Sequence, residues 1–154
     1  MLIVDEIDLR ILKELQKDGR IANNVLAEKV GLSPSPCLRR VKTLEDTGVI
    51  SRYVAILNPQ SLGLDMTIFV RIWLTSQDEE TVEHFCREVR ILPEVVECHL
   101  MVGDCDFLLR VVTSSLSAYR KLQIDHLARI RGVQSLKTDL PMQTIKQTSE
   151  LPLR

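Results

Sequence analysis

The chain has no long apolar run, no surplus of charge and no paired cysteines, and each absence removes a class of function. No stretch of its 154 residues approaches the ~20 consecutive apolar residues that cross a bilayer. Asp5, Glu6 and Asp8 near the start replace the basic flank and apolar middle of a secretion signal, so no membrane association and a cytoplasmic protein are expected. Twenty Lys and Arg oppose 21 Asp and Glu, a net charge of −1, so no bulk field draws the chain to nucleic acid and any such contact must come from a local patch. Cys37, Cys86, Cys98 and Cys105 show neither the C-x-x-C spacing of zinc sites nor the density of a disulfide scaffold. Reduced, mostly buried thiols and no metal are expected, Cys98, His99 and Cys105 being the one triple that a hairpin would gather. There is no Gly-rich phosphate loop and no H-E-x-x-H pattern. Asp104 and Asp106 alternate with Cys105 along an extended segment with no third orienting group, so neither paired-carboxylate catalysis nor a Cys105–His99 couple is supported, and no enzyme is expected.

What is present begins with the stretch Leu26 to Gly48, which reads as two short helices joined by a tight turn. Leu26 and Val30 share one face of the first, and Gly31 follows where a residue of positive φ closes a helix. Ser33 is placed to cap the next helix through its hydroxyl; Pro34 and Pro36 lie in its first turn, where amides have no intrahelical acceptor, so two prolines mark a start. Leu38, Val41 and Leu44 are the expected buried stripe. Ser35, Arg39, Arg40, Lys42 and Thr43 are left on the outer face, a hydroxyl and cation set suited to phosphates and guanine edges. A charged helix face alone is ordinary solvated surface; the tightly punctuated helix pair is what points to double-stranded DNA.

The two halves carry different periods. Asp5 caps a further helix that buries Ile7, Ile11, Leu12 and Leu15 and ends near Gly19, so three helices span roughly residues 5–47. From Ile50 to Leu57 the pattern alternates, predicting a strand that serves as wing or hinge until Asn58-Pro59 breaks it. The loop composition of Asn58 to Gly63 places a boundary there, giving 1–50 as a helix-turn-helix domain, 51–62 as strand and linker, and 63–154 as a second domain.

From Leu64 the order is strand, helix, strand, strand, helix, strand, a βαββαβ ferredoxin-like unit, so the fold class is α+β. Met66, Ile68, Val70, Ile72 and Leu74 share one strand face; Val96, Cys98, Leu100 and Val102 alternate; Cys105, Phe107, Leu109 and Val111 return after a Gly103-Asp104 turn; and the last strand lies within Val133 to Ile145. A soluble monomer would keep the sheet face away from the helices polar. Here that face holds Phe69, Trp73, Leu108 and Val112, which predicts cover from a second copy of the chain and a doubled set of DNA contacts. RNA binding by this half is disfavoured because its central strands lack the aromatic pair that stacks bases, Phe107 lying on the helix side.

Asp5-x-x-Asp8-x-x-Ile11-Leu12-x-x-Leu15, Asp18-Gly19-Arg20, Val30-Gly31-Leu32-Ser33-Pro34-x-Pro36-Cys37-x-x-Arg40-Val41 and Gly48-Val49-Ile50 resemble the Lrp/AsnC family of feast/famine transcription regulators. Glu97-Cys98-His99-Leu100, Gly103-Asp104-x-Asp106 and Ser117-Ala118-Tyr119-Arg120-Lys121-Leu122 resemble its effector domain, so the likeness covers almost the whole chain. It implies a DNA-binding helix-turn-helix, a βαββαβ domain that dimerises and assembles to octamers or similar rings, and an amino-acid effector bound between dimers, with no other cofactor.

Carried over by motif, Ser33, Pro34, Ser35, Pro36, Cys37 and Arg40 belong to the recognition helix, and Arg39, Lys42 and Thr43 join them from the outer face. The effector residues implied are Met101, Gly103, Asp104 and Asp106, with Leu140, Pro141, Met142 and Thr144 expected close by. A zwitterion needs backbone donors for its carboxylate, an acceptor for its ammonium and an apolar slot, and Gly103 with Asp104 or Asp106 meets the first two. Taken alone, Gly-Asp is also ordinary turn chemistry. Ala22 stands where the family often has a capping Ser or Thr, which leaves Asn23 as the expected cap. Asp139-Leu140-Pro141 departs from the aromatic and β-branched residues associated with leucine responders, so effector identity stays open, as does an effector-independent DNA-organising role.

Overall fold

A reciprocal pair of carboxylate caps starts the first helix. Asp5 Oδ1 accepts from the Asp8 amide at 2.8 Å while Asp8 Oδ2 accepts from the Asp5 amide at 3.2 Å, and α1 runs Glu6–Lys17. The computed structural model describes residues 4–154; the first three positions of the expected 1–50 domain lie outside the described residues. α2 spans Asn23–Val30 and closes on Gly31 at φ 75°. α3 spans Pro34–Asp46, unbroken by its two prolines.

The buried centre of this unit is Ile11, Leu26, Ala27, Val30, Cys37 and Leu44, with Ile7, Leu12, Leu15, Val41 and Ile50 packed around it. Two expectations are corrected here. Cys37 has no exposed surface, whereas Leu38 is 57% exposed, so the buried stripe of α3 is 37, 41 and 44 in place of 38, 41 and 44. Both spacings fit a helix; packing against α1 and α2 selects the former. Burial also raises the Cys37 thiol above its ordinary pKa, keeping it protonated.

The caps differ from expectation as well. Asn23 is the first helical residue of α2, not its cap; Ala22 holds that place, and Asn23 Nδ2 donates to the Pro34 carbonyl at 2.9 Å, tying the starts of α2 and α3 together. Ser33 has the extended backbone of a cap, but its side chain makes no capping bond.

Residues 51–58 form no strand. A strand needs a hydrogen-bonded neighbour, and this segment pairs with none among the described residues. Tyr53 alone is anchored, its hydroxyl donating to Glu45 Oε1 at 2.9 Å and its ring lying over Gly19, while Val54, Ile56 and Leu57 stay exposed.

The second unit covers Leu57–Ile145. Its elements are β1 (Met66–Leu74), α4 (Glu79–Arg90), β2 (Val95–Leu100), β3 (Phe107–Thr113), α5 (Leu116–Asp125) and β4 (Val133–Asp139). The strands order as β2-β3-β1-β4, every neighbouring pair antiparallel, which is the ferredoxin-like βαββαβ arrangement. Ile68, Val70, Ile72, Leu74, Phe107, Leu109 and Val111 bury against Phe85 and Val89 of α4 and Tyr119 and Leu122 of α5. Thr67, Phe69, Arg71, Trp73, Leu108, Arg110 and Val112 form the other, half-buried face.

The strand ends shift from the sequence reading. β2 carries a register irregularity between Val95 and Glu97, and on this sheet edge Val96, Cys98, Leu100 and the following Val102 are exposed instead of forming one inward row. Cys98 is therefore an exposed thiol, Cys37 and Cys105 are buried, and all four cysteines are free. β3 starts at Phe107 and β4 stops at Asp139. Lys146–Arg154 groups with the N-terminal unit, not with the expected 63–154 domain. The amide of Gln16 accounts for this: its Oε1 accepts from the Leu151 amide at 2.6 Å and its Nε2 donates to the Leu151 carbonyl at 3.2 Å.

Candidate nucleic-acid interface and effector site

Ser33, just before α3, and Ser35, Arg39, Lys42 and Thr43 on it are exposed, and Pro36 and Arg40 are half-buried, so seven of the eight expected DNA-facing residues reach the surface. Among the described residues neither Arg39 nor Lys42 has an ion-pair partner, which leaves both cations to an external anion. Thr43 Oγ1 donates to the Arg39 carbonyl at 2.9 Å, so the hydroxyl of this exposed residue retains accepting capacity. Cys37 does not belong to this surface; it is sealed in the core.

Arg40 is half-buried, and its guanidinium is engaged within the unit. Its Nη1 donates to Asp5 Oδ2 at 2.7 Å and Asp8 Oδ1 at 2.8 Å. These contacts raise the arginine further above its already high pKa, Asp8 contributing most, while the Asp8 amide and then Arg40 hold Asp5 below the ordinary carboxylate range. The cation ties α3 to α1 through Nη1.

In the second unit the expected effector residues divide by what already holds them. Gly103 is exposed with φ 159°, and Met101 donates its amide to the Asp106 carbonyl at 2.9 Å. The two carboxylates differ. Asp106 Oδ2 accepts from the Leu74 amide at 2.7 Å and Oδ1 from Gln77 Nε2 at 2.6 Å, so this side chain fastens the loop to the end of β1. Asp104 keeps an 82% exposed side chain whose nearest cation, Arg71 Nη1, is 3.7 Å away. Leu140, Pro141, Met142 and Thr144 follow β4 as exposed, irregular chain.

Arg71, on the sheet face away from the helices, joins the two groups. Its Nε and Nη2 donate to Asp139 at 2.7 and 3.1 Å, one residue before Leu140, while Nη1 faces Asp104. The pair lowers the Asp139 carboxyl and raises the guanidinium. Trp73, two positions on, donates Nε1 to the Asp104 carbonyl at 2.6 Å, and the guanidinium carbon lies 6.0 Å from the centre of its ring. Arg71, Trp73, Gln77 and Asp139 are thus the residues sequence reasoning missed; Arg and Trp alternating on one strand face was the available signal. A separate groove of about 440 Å³ between α4 and β2, lined by Cys86, Arg90, Val96, Cys98 and neighbours, contains none of the expected effector residues.

Residues 67–151 match the Lrp/AsnC ligand binding domain, and residues 4–51 match a winged helix-turn-helix DNA-binding domain. The chain belongs to the Lrp/AsnC family. The leucine-responsive regulatory protein of Escherichia coli K12 is 45% identical over 98% of this chain and 92% of its own length. A transcriptional regulator from Neisseria meningitidis, solved in complex with L-methionine, superposes with a TM-score of 0.94 at 38% identity, covering 98% of this chain and 97% of that one. An AsnC family regulator from Agrobacterium tumefaciens gives 0.92 at 42% identity, covering 97% of each chain. As a member of Lrp/AsnC, the chain is a DNA-binding transcription regulator with the family's ligand-binding domain, and its relatives are regulators, not enzymes. No helix among the described residues is long and apolar enough to cross a membrane.

Proposed function

We propose that Ser33, Ser35, Pro36, Arg39, Lys42 and Thr43 meet double-stranded DNA, with the outer face of α3 in the major groove. We further propose that the second unit takes an amino acid beside Gly103 and Asp104, acts in the cytoplasm, and joins further copies as a dimer that builds to octamers or similar rings. The observation that carries the effector reading is the contrast between two carboxylates: Asp106 is occupied by Leu74 and Gln77, whereas Asp104, 82% exposed and 3.7 Å from Arg71, is open to an ammonium group. Arg71, held by Asp139, positions that acceptor. Met101, Leu140, Pro141, Met142 and Thr144 are exposed, and they enclose an apolar effector side chain only when a second copy covers them. The apolar residues on the free sheet face, Phe69, Trp73, Leu108 and Val112, supply the surface for the dimer.

Because the Neisseria relative was solved with L-methionine and the E. coli relative is named for leucine, these two amino acids are the first effectors to test. Differential binding to two assembly states would then change the spacing of the DNA-reading heads. Thermal shift with each of the twenty amino acids, paired with light scattering for mass, tests this. Selective stabilisation with a change in mass, blunted in Asp104→Ala, is expected. No stabilisation by any amino acid, with a complete oligomer already formed, would replace the reading with an effector-independent DNA organiser.

A further inference from the structure

Leu38 is 57% exposed on a helix whose neighbouring residue, Cys37, is fully buried. A single exposed leucine is unremarkable by itself. The placement of this one is informative, because two constraints fix the rotation of α3: Cys37 and Leu44 locked in the core, and Arg40 clamped by Asp5 and Asp8. With those held, Leu38 cannot turn inward. At about 100° per residue it lies about 40° from Lys42 and about 60° from Ser35, on the border of the cationic outer face. It also sits in the second turn of a helix that starts at Pro34, and the N-terminal part of a recognition helix is the part that reaches base edges. An aliphatic side chain framed by a hydroxyl and two cations fits one feature of the major groove: the 5-methyl group of thymine, the only apolar group a base pair presents there.

We infer that Leu38 reads sequence, its side chain contacting the methyl group of a thymine while Arg39 and Lys42 hold the phosphates or guanine edges on either side. The polar residues give affinity and register; Leu38 adds discrimination for T·A at one position of each half-site.

The test uses a duplex enriched from a randomised pool by the full-length protein, then resynthesised with uracil replacing one thymine at a time, which removes the methyl and nothing else. Binding is read by fluorescence anisotropy at fixed salt. The wild-type protein loses about fourfold in affinity at one thymine per half-site, the value of one apolar carbon group. Leu38→Ala binds the thymine and uracil duplexes equally at that position, and Leu38→Met restores the difference. Because Leu38 is exposed, the melting midpoint of Leu38→Ala stays that of the wild type, which separates a lost contact from a lost fold. Wild-type indifference to uracil at every position overturns the inference, as does a selected site without thymine. Equal uracil sensitivity in wild type and Leu38→Ala also overturns it, transferring the reading to another group such as the Thr43 methyl. Failure to enrich any duplex would remove the DNA contact surface of α3 along with it.

Discussion

Arg40 and Asp8 hold the recognition helix to the first helix, the guanidinium Nη1 standing 2.8 Å from Asp8 Oδ1 and 2.7 Å from the neighbouring Asp5 Oδ2. An arginine paired in this way ties α3 to α1, and we propose that it orients the reading surface instead of contacting DNA. Arg40→Ala is therefore expected to lower the melting midpoint while leaving the slope of log affinity against log salt unchanged. Lys42→Ala should do the reverse, keeping the midpoint and flattening that slope by about one. A flattened slope in Arg40→Ala, measured by anisotropy between low and high salt, would return Arg40 to the interface.

The order of elements was legible because its signals are local: the Gly31 stop, the paired prolines of α3, and the alternating runs that follow the loop ending at Gly63. The rotation of α3 was not. The sets 38, 41, 44 and 37, 41, 44 both satisfy helical spacing, and both cysteine and leucine suit a core, so only packing against Ile11 and Leu26 separates them. The same limit explains the effector loop. Asp104 and Asp106 look alike in sequence, and what distinguishes them is a backbone amide at Leu74 and a side chain at Gln77, some thirty positions away. The segment after Ile50 has the pattern of a strand but finds no partner edge among the described residues; the pattern was readable, the lack of pairing was not.

Removing the Asp106 carboxylate should injure the fold before it injures any response. Asp106→Ala leaves the Leu74 amide without its acceptor at the end of a central strand, and the second unit should lose about 1–3 kcal/mol in denaturant unfolding. Asp104→Ala, whose side chain is largely in water, should unfold like the wild type. Equal stability of the two variants would contradict the division of labour between the carboxylates.

Gly132 combines a φ of 96° with a close neighbour: a Cβ there would lie 2.6 Å from Thr81 Cγ2. Thr81 cannot swing aside freely, since its amide and hydroxyl both donate to Asp78 at 2.9 and 2.8 Å. Gly132→Ala should cost about 1–3 kcal/mol through backbone strain, with the clash added to it. Adding Thr81→Ser, which removes the offending methyl and keeps the hydroxyl, should recover the clash but not the strain. Full recovery in the double variant would assign the whole cost to the contact.

Acid should weaken the two units by different means over one pH window. Hydrogen bonds from Lys17 and then Lys29 pull the Glu14 carboxyl from 4.5 to about 2, and in the other unit hydrogen bonds from Ser76 and Thr81 hold Asp78 at about 2, down from 3.8. Each folded pKa is depressed, so the folded state binds fewer protons than the unfolded chain. The stabilisation is fully present above the unfolded pKa values, near pH 4 to 4.5, and is lost as pH falls toward 2. Melting midpoints followed from pH 6 to pH 2 should drop through that window, less steeply in Glu14→Gln for the N-terminal unit and in Asp78→Asn for the second. Salt separates the causes. At about 1 M the screening length shrinks to ~3 Å, which weakens the exposed lysine pairs at Glu14 far more than the short, mostly uncharged donors at Asp78. The acid sensitivity of the N-terminal unit should therefore fade in high salt while that of the second persists; equal fading in both would mean that the Asp78 shift has a Coulombic origin that its neighbours do not account for.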